Sequence, residues 1–219
     1  MIKALLWDCD NTLIKTAELH FAKHVAVLKG YGIDLDDRFR PTIYSNNSFQ
    51  NWDILSKAFD IPTTGEDYIA AIDKWYQDNI HTLQIRSGVV EVLKLAQENG
   101  LKQAVVSNGR TESVMAGLNA KGLTPYFDII LTRGDYTERK PHPESYLCAL
   151  DKLGLAPHEA IAIEDDPKGA EASISANIPT VHYRYSEDMP PVLEAAYSCY
   201  TGVDFINYMN KVIHGESCT

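Results

Sequence analysis

The chain has 219 residues, of which 45% are hydrophobic, and a formal net charge of −10 at pH 7. This length suits one large domain, or a domain with an insert, and provides enough chain for a substantial core. The acidic balance argues against a nucleic-acid partner and a polybasic membrane surface, and no apolar stretch approaches the roughly 20 residues of a membrane span.

The first part of the chain predicts one strand followed by helices. An apolar run at residues 2–7 is typical of a buried parallel strand. A helical pattern covers residues 17–30 and ends at glycines, and residues 46–59 and 66–81 predict two amphipathic helices. Because strong strand signals are missing before about Arg86, we interpret this region as an all-helical insert after the first strand.

From Gly88 onward the pattern alternates between helix and strand. The predicted strands lie at residues 101–106, 127–131, 160–163 and 180–183. The predicted helices lie at residues 89–99, 112–121, 144–153 and 168–176, with a closing helix at residues 204–213. Strict alternation of this kind predicts an α/β fold, in which helices cover both faces of a parallel sheet.

The cysteines and the N-terminus bear on the cellular compartment. The four cysteines have neither metal-type spacing nor the density of a disulfide scaffold; they are Cys9, Cys148, Cys199 and Cys218. We expect them to be reduced thiols. Because the N-terminus shows no signal-peptide pattern, we expect a cytoplasmic protein. We also expect a monomer or a weak homodimer.

Two acids follow the first predicted strand. Asp8 and Asp10 lie where open α/β sheets bind ligands, at the carboxyl end of a strand. Their side chains lie on the same side of the strand if the chain stays extended, whereas a turn right after Asp8 would place the two carboxylates on different sides of one reacting atom. Either way, carboxylates this close repel unless a cation or a shared proton intervenes. The pair indicates a divalent metal, an acid/base pair, or both.

Three later segments place further polar groups at strand ends. The hydroxyl and backbone N–H groups of Ser107-Asn108-Gly109 can donate to an anion. Lys140, before Pro141, offers a positive charge, and Glu164-Asp165-Asp166 offers hard oxygen ligands suited to Mg2+.

The order of these motifs resembles that of a known family. Asp8-x-Asp10-x-Thr12, Ser107-Asn108-Gly109, Lys140-Pro141 and Glu164-Asp165 together resemble the haloacid dehalogenase superfamily. The resemblance covers residues 1–15 and about 87–185. It implies a Rossmann-like core domain at residues 1–15 and 87–219. The helical insert, residues 16–86, is similar to the cap domain of the phosphoglycolate phosphatase and β-phosphoglucomutase-like branch.

The resemblance implies roles for the acids. Asp8 would attack phosphorus and form an aspartyl-phosphate, and Asp10 would act as the general acid and base. Mg2+ would be held by Asp8, by the backbone carbonyl of Asp10 and by Asp165, with Glu164 bound directly or through water. Family dehalogenases lack the second acid of the first motif and use no metal, so Asp10 and the Glu164-Asp165 pair favour phosphoryl transfer.

It also implies roles for the remaining motif residues. Ser107, the Asn108 N–H and catalytic Lys140 would hold the phosphate oxygens, with Gly109 supporting that turn. Thr12 would orient the Asp8 loop.

Four positions leave alternatives open. Asn11 stands where many members of this family have glycine, and asparagine tolerates the left-handed backbone conformation. Asp166 stands where serine is common in the family. Its carboxylate either supports a neighbouring metal ligand or caps the helix that follows. Cys9 lies between the acids, but a cysteine-phosphatase loop would need an arginine where Lys15 stands. His20 either approaches the acid/base aspartate, as in the hinge of β-phosphoglucomutase-like members, or is an ordinary surface histidine.

The expected activity is Mg2+-dependent hydrolysis of a small phosphomonoester, with a small phosphorylated metabolite as the partner. A sugar phosphomutase is the alternative, and it needs a cap arginine for a second phosphate. Residues 41–48 contain no arginine, although Arg38 and Arg40 just precede them. A catalytically silent phosphate-ligand-binding protein on this fold is the third hypothesis.

Overall fold

The computed structural model describes residues 1–216. The chain divides into two compact units: residues 1–14 with the described residues from 84 onward, and residues 15–83. The strands are β1 (Ala4–Trp7), β2 (Ile14–Lys15), β3 (Gln84–Ile85), β4 (Lys102–Val106), β5 (Ile129–Leu131), β6 (Ala160–Glu164), β7 (Thr180–Tyr183) and β8 (Tyr197–Cys199). The helices are α1 (Ala17–Gly30), α2 (Arg40–Ser45), α3 (Ser48–Ala58), α4 (Gly65–Asn79), α5 (Val89–Glu98), α6 (Thr111–Ala120), α7 (Glu144–Leu153), α8 (Pro167–Ser175) and α9 (Gly202–Ile213).

A parallel sheet forms the centre of the first unit. Its strand order is β5-β4-β1-β6-β7-β8, and each neighbouring pair is parallel. Leu6 of β1 pairs with Ala104 of β4 and with Ala162 of β6. This architecture confirms the predicted α/β fold. Because β1 lies between β4 and β6, the residues that follow these three strands meet at the carboxyl edge of the sheet.

Apolar packing on both faces of the sheet fixes that edge. β1 and β6 are buried along their whole length, as expected for central parallel strands. On one face, Tyr146 and Leu150 of α7 pack into a cluster with residues of β1, β4 and β6. Phe205 of α9 lies edge-on to Trp7 and stacks on Tyr183, with ring centroids 5.9 and 4.5 Å apart.

The second unit consists of helices around a small core of its own. Its buried residues are Leu28, Leu55, Ile61, Tyr68 and Ile72. Capping defines two of its helices. Asn47 forms a capping box with Gln50 at the start of α3, and the Thr64 hydroxyl accepts a hydrogen bond from the Asp67 N–H at the start of α4.

Several elements depart from the sequence-based expectations. The short pair β2 and β3, the helix α2 and the edge strand β8 were not predicted. β8 consists of Tyr197-Ser198-Cys199, which has no apolar run, so its strand state depends on pairing with β7. Pro41 lies in the first turn of α2, where a missing N–H costs nothing.

Three of the four cysteines form no disulfide in the structure. Cys9, Cys148 and Cys199 are free thiols, whereas Cys218 lies outside the described residues. Within residues 1–216, no helix is both long enough and apolar enough to span a membrane.

Gly88 is a position where a side chain should destabilise the fold. It precedes α5 in a left-handed conformation with a φ of 79°. A Cβ at this position would lie 2.8 Å from the Gly202 carbonyl oxygen. Gly100 is also left-handed, but a Cβ there would meet nothing within 4 Å. We expect Gly100→Ala to lose about 1–2 kcal/mol of unfolding free energy from backbone strain alone. Gly88→Ala should lose about 1 kcal/mol or more beyond that, because backbone of α9 must shift. Urea unfolding of both variants measures the difference, and equal losses would contradict it.

Candidate active site

The loop after β1 turns at residues 11–13, directly after the two acids of the first motif. Asp8 follows the last strand residue, and its N–H donates to the Ile163 carbonyl at 3.0 Å. The Leu13 and Ile14 N–H groups both donate to the Cys9 carbonyl, and Asn11 has a φ of 58°. The turn therefore follows Asp10 rather than Asp8, and Asn11 within it adopts the left-handed conformation for which asparagine is suited.

Lys140 joins three strand ends through its ammonium group. Nζ donates to Asp8 Oδ1 at 2.8 Å, to Glu164 Oε1 at 2.6 Å and to the Val106 carbonyl at 2.6 Å. The side chain is only 4% exposed. Burial alone would lower the pKa of Lys140, but the carboxylates of Asp8 and Glu164 raise it well above its ordinary value. The lysine therefore stays charged, and its three N–H groups are all used.

Three buried carboxylates form a cluster that suits a cation. One oxygen from each of Asp8, Glu164 and Asp165 lies within 4.8 Å of the others. Burial, followed by repulsion within the cluster, raises the pKa of Asp165 well above its ordinary value. Burial is also the main reason why the pKa of Asp8 is raised and that of Glu164 rises to about 8. Clustered hard oxygens that resist ionisation on their own fit a divalent ion such as Mg2+.

Asp165 is fixed by Thr12 in the loop after β1 and by His182 in β7. The Thr12 hydroxyl donates to Asp165 Oδ1 at 3.1 Å, which ties the first loop to the end of β6. His182 Nδ1 accepts the Val192 N–H at 3.1 Å, so Nε2 carries the proton and donates to the Asp165 carbonyl, also at 3.1 Å. Burial lowers the pKa of His182, which keeps this tautomer neutral.

The turn after β4 lies against Asp10. The Gly109 N–H donates to Ser107 Oγ at 3.0 Å, and a Cβ on Gly109 would lie 3.3 Å from Asp10 Oδ2. A side chain at Gly109 would therefore crowd the Asp10 carboxylate, and its Cβ would also lie only 2.8 Å from Val114 Cγ2. Asn108 pairs with the Lys140 backbone, since its Oδ1 accepts the Lys140 N–H at 3.2 Å and its Nδ2 donates to the carbonyl at 3.4 Å.

Two tyrosines belong to the site although the sequence did not single them out. The Tyr146 hydroxyl donates to Glu164 Oε1 at 2.5 Å, so this oxygen accepts from both Lys140 and Tyr146. The Tyr136 hydroxyl donates to the Ser107 carbonyl at 2.6 Å. Tyr146 lies on the apolar face of α7, where an aromatic residue looks like core. The only available signal was its position six residues after Lys140.

The remaining candidates lie elsewhere or have other partners. Asp166 caps α8, because its carboxylate accepts the Lys168 N–H at 3.0 Å. His20 belongs to the helical unit and stacks on Tyr76 with ring centroids 4.8 Å apart. Burial lowers the pKa of His20 to about 3, so its imidazole is neutral, and its approach to the acid/base aspartate stays a prediction.

Cys9 is not a nucleophile in this arrangement. Its side chain is 2% exposed. Burial, together with the negative charges of Asp10 and Asp8, raises the pKa of its thiol well above the ordinary value. The thiolate that nucleophilic attack requires is therefore strongly disfavoured.

Comparisons with known proteins identify the family that the chain is similar to. The family described as haloacid dehalogenase-like hydrolase matches residues 5–183. Pyrophosphatase PpaX of Bacillus pumilus is 33% identical over 172 residues, covering 75% of this chain and 75% of that protein. Phosphoglycolate phosphatase of Thiobacillus denitrificans is 29% identical over 198 residues, covering 86% of this chain and 87% of that protein.

A solved structure supports the fold. The HAD family hydrolase from Deinococcus radiodurans R1, which has bound phosphate and sodium, superimposes with a TM-score of 0.81. The alignment covers 99% of each chain at 20% sequence identity.

The raised pKa values predict how stability varies with pH when no metal is present. The pKa of Glu164 lies near 8 in the folded protein, against 4.5 ordinarily, so the folded state binds more protons than the unfolded state between these values. We therefore expect the unfolding free energy to fall as pH rises through this window, by up to about 1.4 kcal/mol per pH unit for one proton.

Urea unfolding in EDTA between about pH 5 and pH 8 measures this slope. The variant Glu164→Gln should have a shallower slope than the wild type, because it lacks the titrating carboxyl group. The exposed control Glu98→Gln should keep the wild-type slope. Wild-type stability that rises with pH would contradict the expectation.

Proposed function

The chain belongs to the haloacid dehalogenase-like hydrolase family, and we propose that it is a Mg2+-dependent phosphatase that hydrolyses a small phosphomonoester through an aspartyl-phosphate. The observation that carries this proposal is the buried cluster of Asp8, Glu164 and Asp165 around the ammonium group of Lys140. Burying several carboxylates together lowers the stability of the folded protein. Binding a cation and a phosphate at this one place would account for such a cluster.

Asp8 is the proposed nucleophile. Its backbone N–H is held by Ile163 and its carboxylate by Lys140, so the carboxylate has a defined orientation. A carboxylate oxygen of Asp8 forms a bond to phosphorus while the bond from phosphorus to the leaving oxygen breaks. Asp10 gives its proton to that leaving oxygen, which departs as an alcohol.

Asp10 then serves as the base of the second step. Water attacks the phosphorus of the aspartyl-phosphate, and Asp10 takes the proton that the water loses. The bond between phosphorus and Asp8 breaks, which releases inorganic phosphate and restores both carboxyl groups. Asp10 lies beside Gly109 in the turn that would hold the phosphoryl group, which supports its role in proton transfer to and from the groups on phosphorus.

The turn after β4 and Lys140 would hold the phosphoryl group. The Ser107 hydroxyl and the Asn108 N–H supply donors for its oxygens. All three N–H groups of Lys140 already have acceptors, so the lysine would act on phosphate chiefly as a nearby positive charge. Tyr136 and the Asn108 side chain keep these two segments together.

Asp8, Asp165 and the Asp10 carbonyl would hold Mg2+. Glu164 Oε1 is already committed to Lys140 and Tyr146, so we assign Glu164 to Lys140 and to the ion through water. Bound Mg2+ would supply positive charge that screens the carboxylates from the incoming phosphate. The donor set supports this assignment because each ligand is a hard oxygen.

The helical unit, as the proposed cap, would select the substrate. Arg40 is engaged there by Glu18 at 2.6 Å and Asp37 at 3.0 Å, and its Nη1 donates to the Tyr44 hydroxyl. An arginine neutralised by two carboxylates is poorly suited to grip a second phosphate, which favours hydrolysis over the mutase reaction. The names of the relatives suggest phosphoglycolate, a phosphomonoester, as the first candidate, and pyrophosphate, a phosphoanhydride whose leaving group is phosphate, as the second.

We also propose a cytoplasmic location. Cys9, Cys148 and Cys199 are free thiols, which suit a reducing compartment.

Phosphate release tests the proposal. The panel contains sugar phosphates, phosphoglycolate, pyrophosphate and nucleoside monophosphates, each assayed with Mg2+ and with EDTA. We expect release to require the metal and Asp8→Asn to reduce it to background. Asp10→Asn should reduce kcat by about 10²–10⁴-fold, because it removes the general acid and base.

The exposed variant Asp151→Asn serves as the matched control and should keep wild-type turnover. Full activity of Asp8→Asn would disprove the nucleophile assignment, and full activity in EDTA would disprove the metal requirement. Isomerisation of a hexose phosphate faster than phosphate release would instead establish the mutase.

A further inference from the structure

We propose that Arg86 is a positioning residue, whose guanidinium group holds the loop that carries Asp10 against the end of β7. Arg86 lies just after β3 and touches none of the proposed reacting atoms. Its role in turnover rests on the proposed function, whereas its role in holding the loop does not.

The guanidinium group binds three backbone carbonyls in two segments. Nη1 donates to the Asn11 carbonyl and to the Tyr183 carbonyl, and Nη2 donates to the Arg184 carbonyl, each at 2.7 Å. The guanidinium carbon lies 3.4 Å from the centroid of the Tyr183 ring. A planar fork with several donors can make these contacts together, whereas the single ammonium group of a lysine cannot.

The main chain of Arg86 adds a second attachment to the same loop. Its N–H donates to the Leu13 carbonyl at 3.0 Å. Arg86 therefore binds the loop on both sides of Thr12, the residue that reaches Asp165. The Asn11 carbonyl is one peptide unit away from the Asp10 carbonyl, so the clamp restrains the backbone next to a proposed metal ligand.

The charge of Arg86 is otherwise hard to explain. The residue is 6% exposed, and its guanidinium group makes no direct ion pair among residues 1–216, although the charge of Asp165 is near enough to favour its charged form. Burying a cation without a direct ion pair is costly, and an apolar side chain would pack at lower cost. Short charge-assisted bonds to three carbonyls offset that cost and hold the segments more firmly than neutral bonds would.

Two independent measurements test the clamp. Hydrogen–deuterium exchange reports on the loop directly, because the Asn11, Leu13 and Ile14 amides are hydrogen-bonded within it. Steady-state kinetics reports on turnover and on the Mg2+ concentration that gives half-maximal activity. The variants are Arg86→Met, Arg86→Lys and the core control Val92→Ala, whose site is fully buried in α5.

In Arg86→Met we expect the loop amides to exchange at least about 10-fold faster, and kcat to fall about 10–100-fold, as for groups that orient metal ligands. Half-maximal activity should need more Mg2+, while KM changes little, because substrate does not touch Arg86. Arg86→Lys should fall between Arg86→Met and the wild type, and it provides the test if Arg86→Met does not fold. Val92→Ala should lose stability with wild-type loop exchange and Mg2+ requirement.

Wild-type loop exchange in a folded Arg86→Met would overturn the clamp, and wild-type kcat and Mg2+ requirement in that variant would overturn its part in turnover. A wild-type protein that releases no phosphate would remove the proposed function. The exchange result would still decide the clamp in that case.

Discussion

The site depends on one interaction, the threefold hydrogen bonding of the Lys140 ammonium group at the carboxyl edge of the sheet. Its acceptors belong to residues that follow or end β1, β4 and β6, so the strand order must place these three strands side by side. The apolar strands provide the rigid support that brings the polar groups together. Without the lysine, the acids would face one another with no compensating charge among them.

The arrangement also shows how a fold keeps an unfavourable site. Burial raises the pKa of each of the three clustered acids, so ionising them in the metal-free site costs folding free energy. The surrounding bonds from Thr12 and Tyr146 hold the carboxylates in place despite this cost. A cation bound among these carboxylates would gain binding free energy, because its charge would relieve both their burial and their repulsion.

The sequence predicted what local patterns determine. Helix α7 and strand β7 begin and end where predicted, because apolar spacing, prolines and a glycine define their ends. The motif residues were found because they follow apolar strands. Arg86 and Tyr146 were not, because an arginine in a connection resembles a surface residue and a tyrosine on an apolar helix face resembles core. Their roles arise from contacts across 75 and 18 positions, which no local pattern records.

The thiol of Cys9 between the two acids has a consequence for the protein's tolerance of oxidants. A cysteine reacts with peroxides and alkylating agents as its thiolate, and both burial and the neighbouring negative charges keep this sulfur protonated. The acids that would perform hydrolysis thus also protect the cysteine beside them. The thiol of Cys9 is therefore unreactive. Oxidants would modify exposed side chains of the protein before they modify this loop.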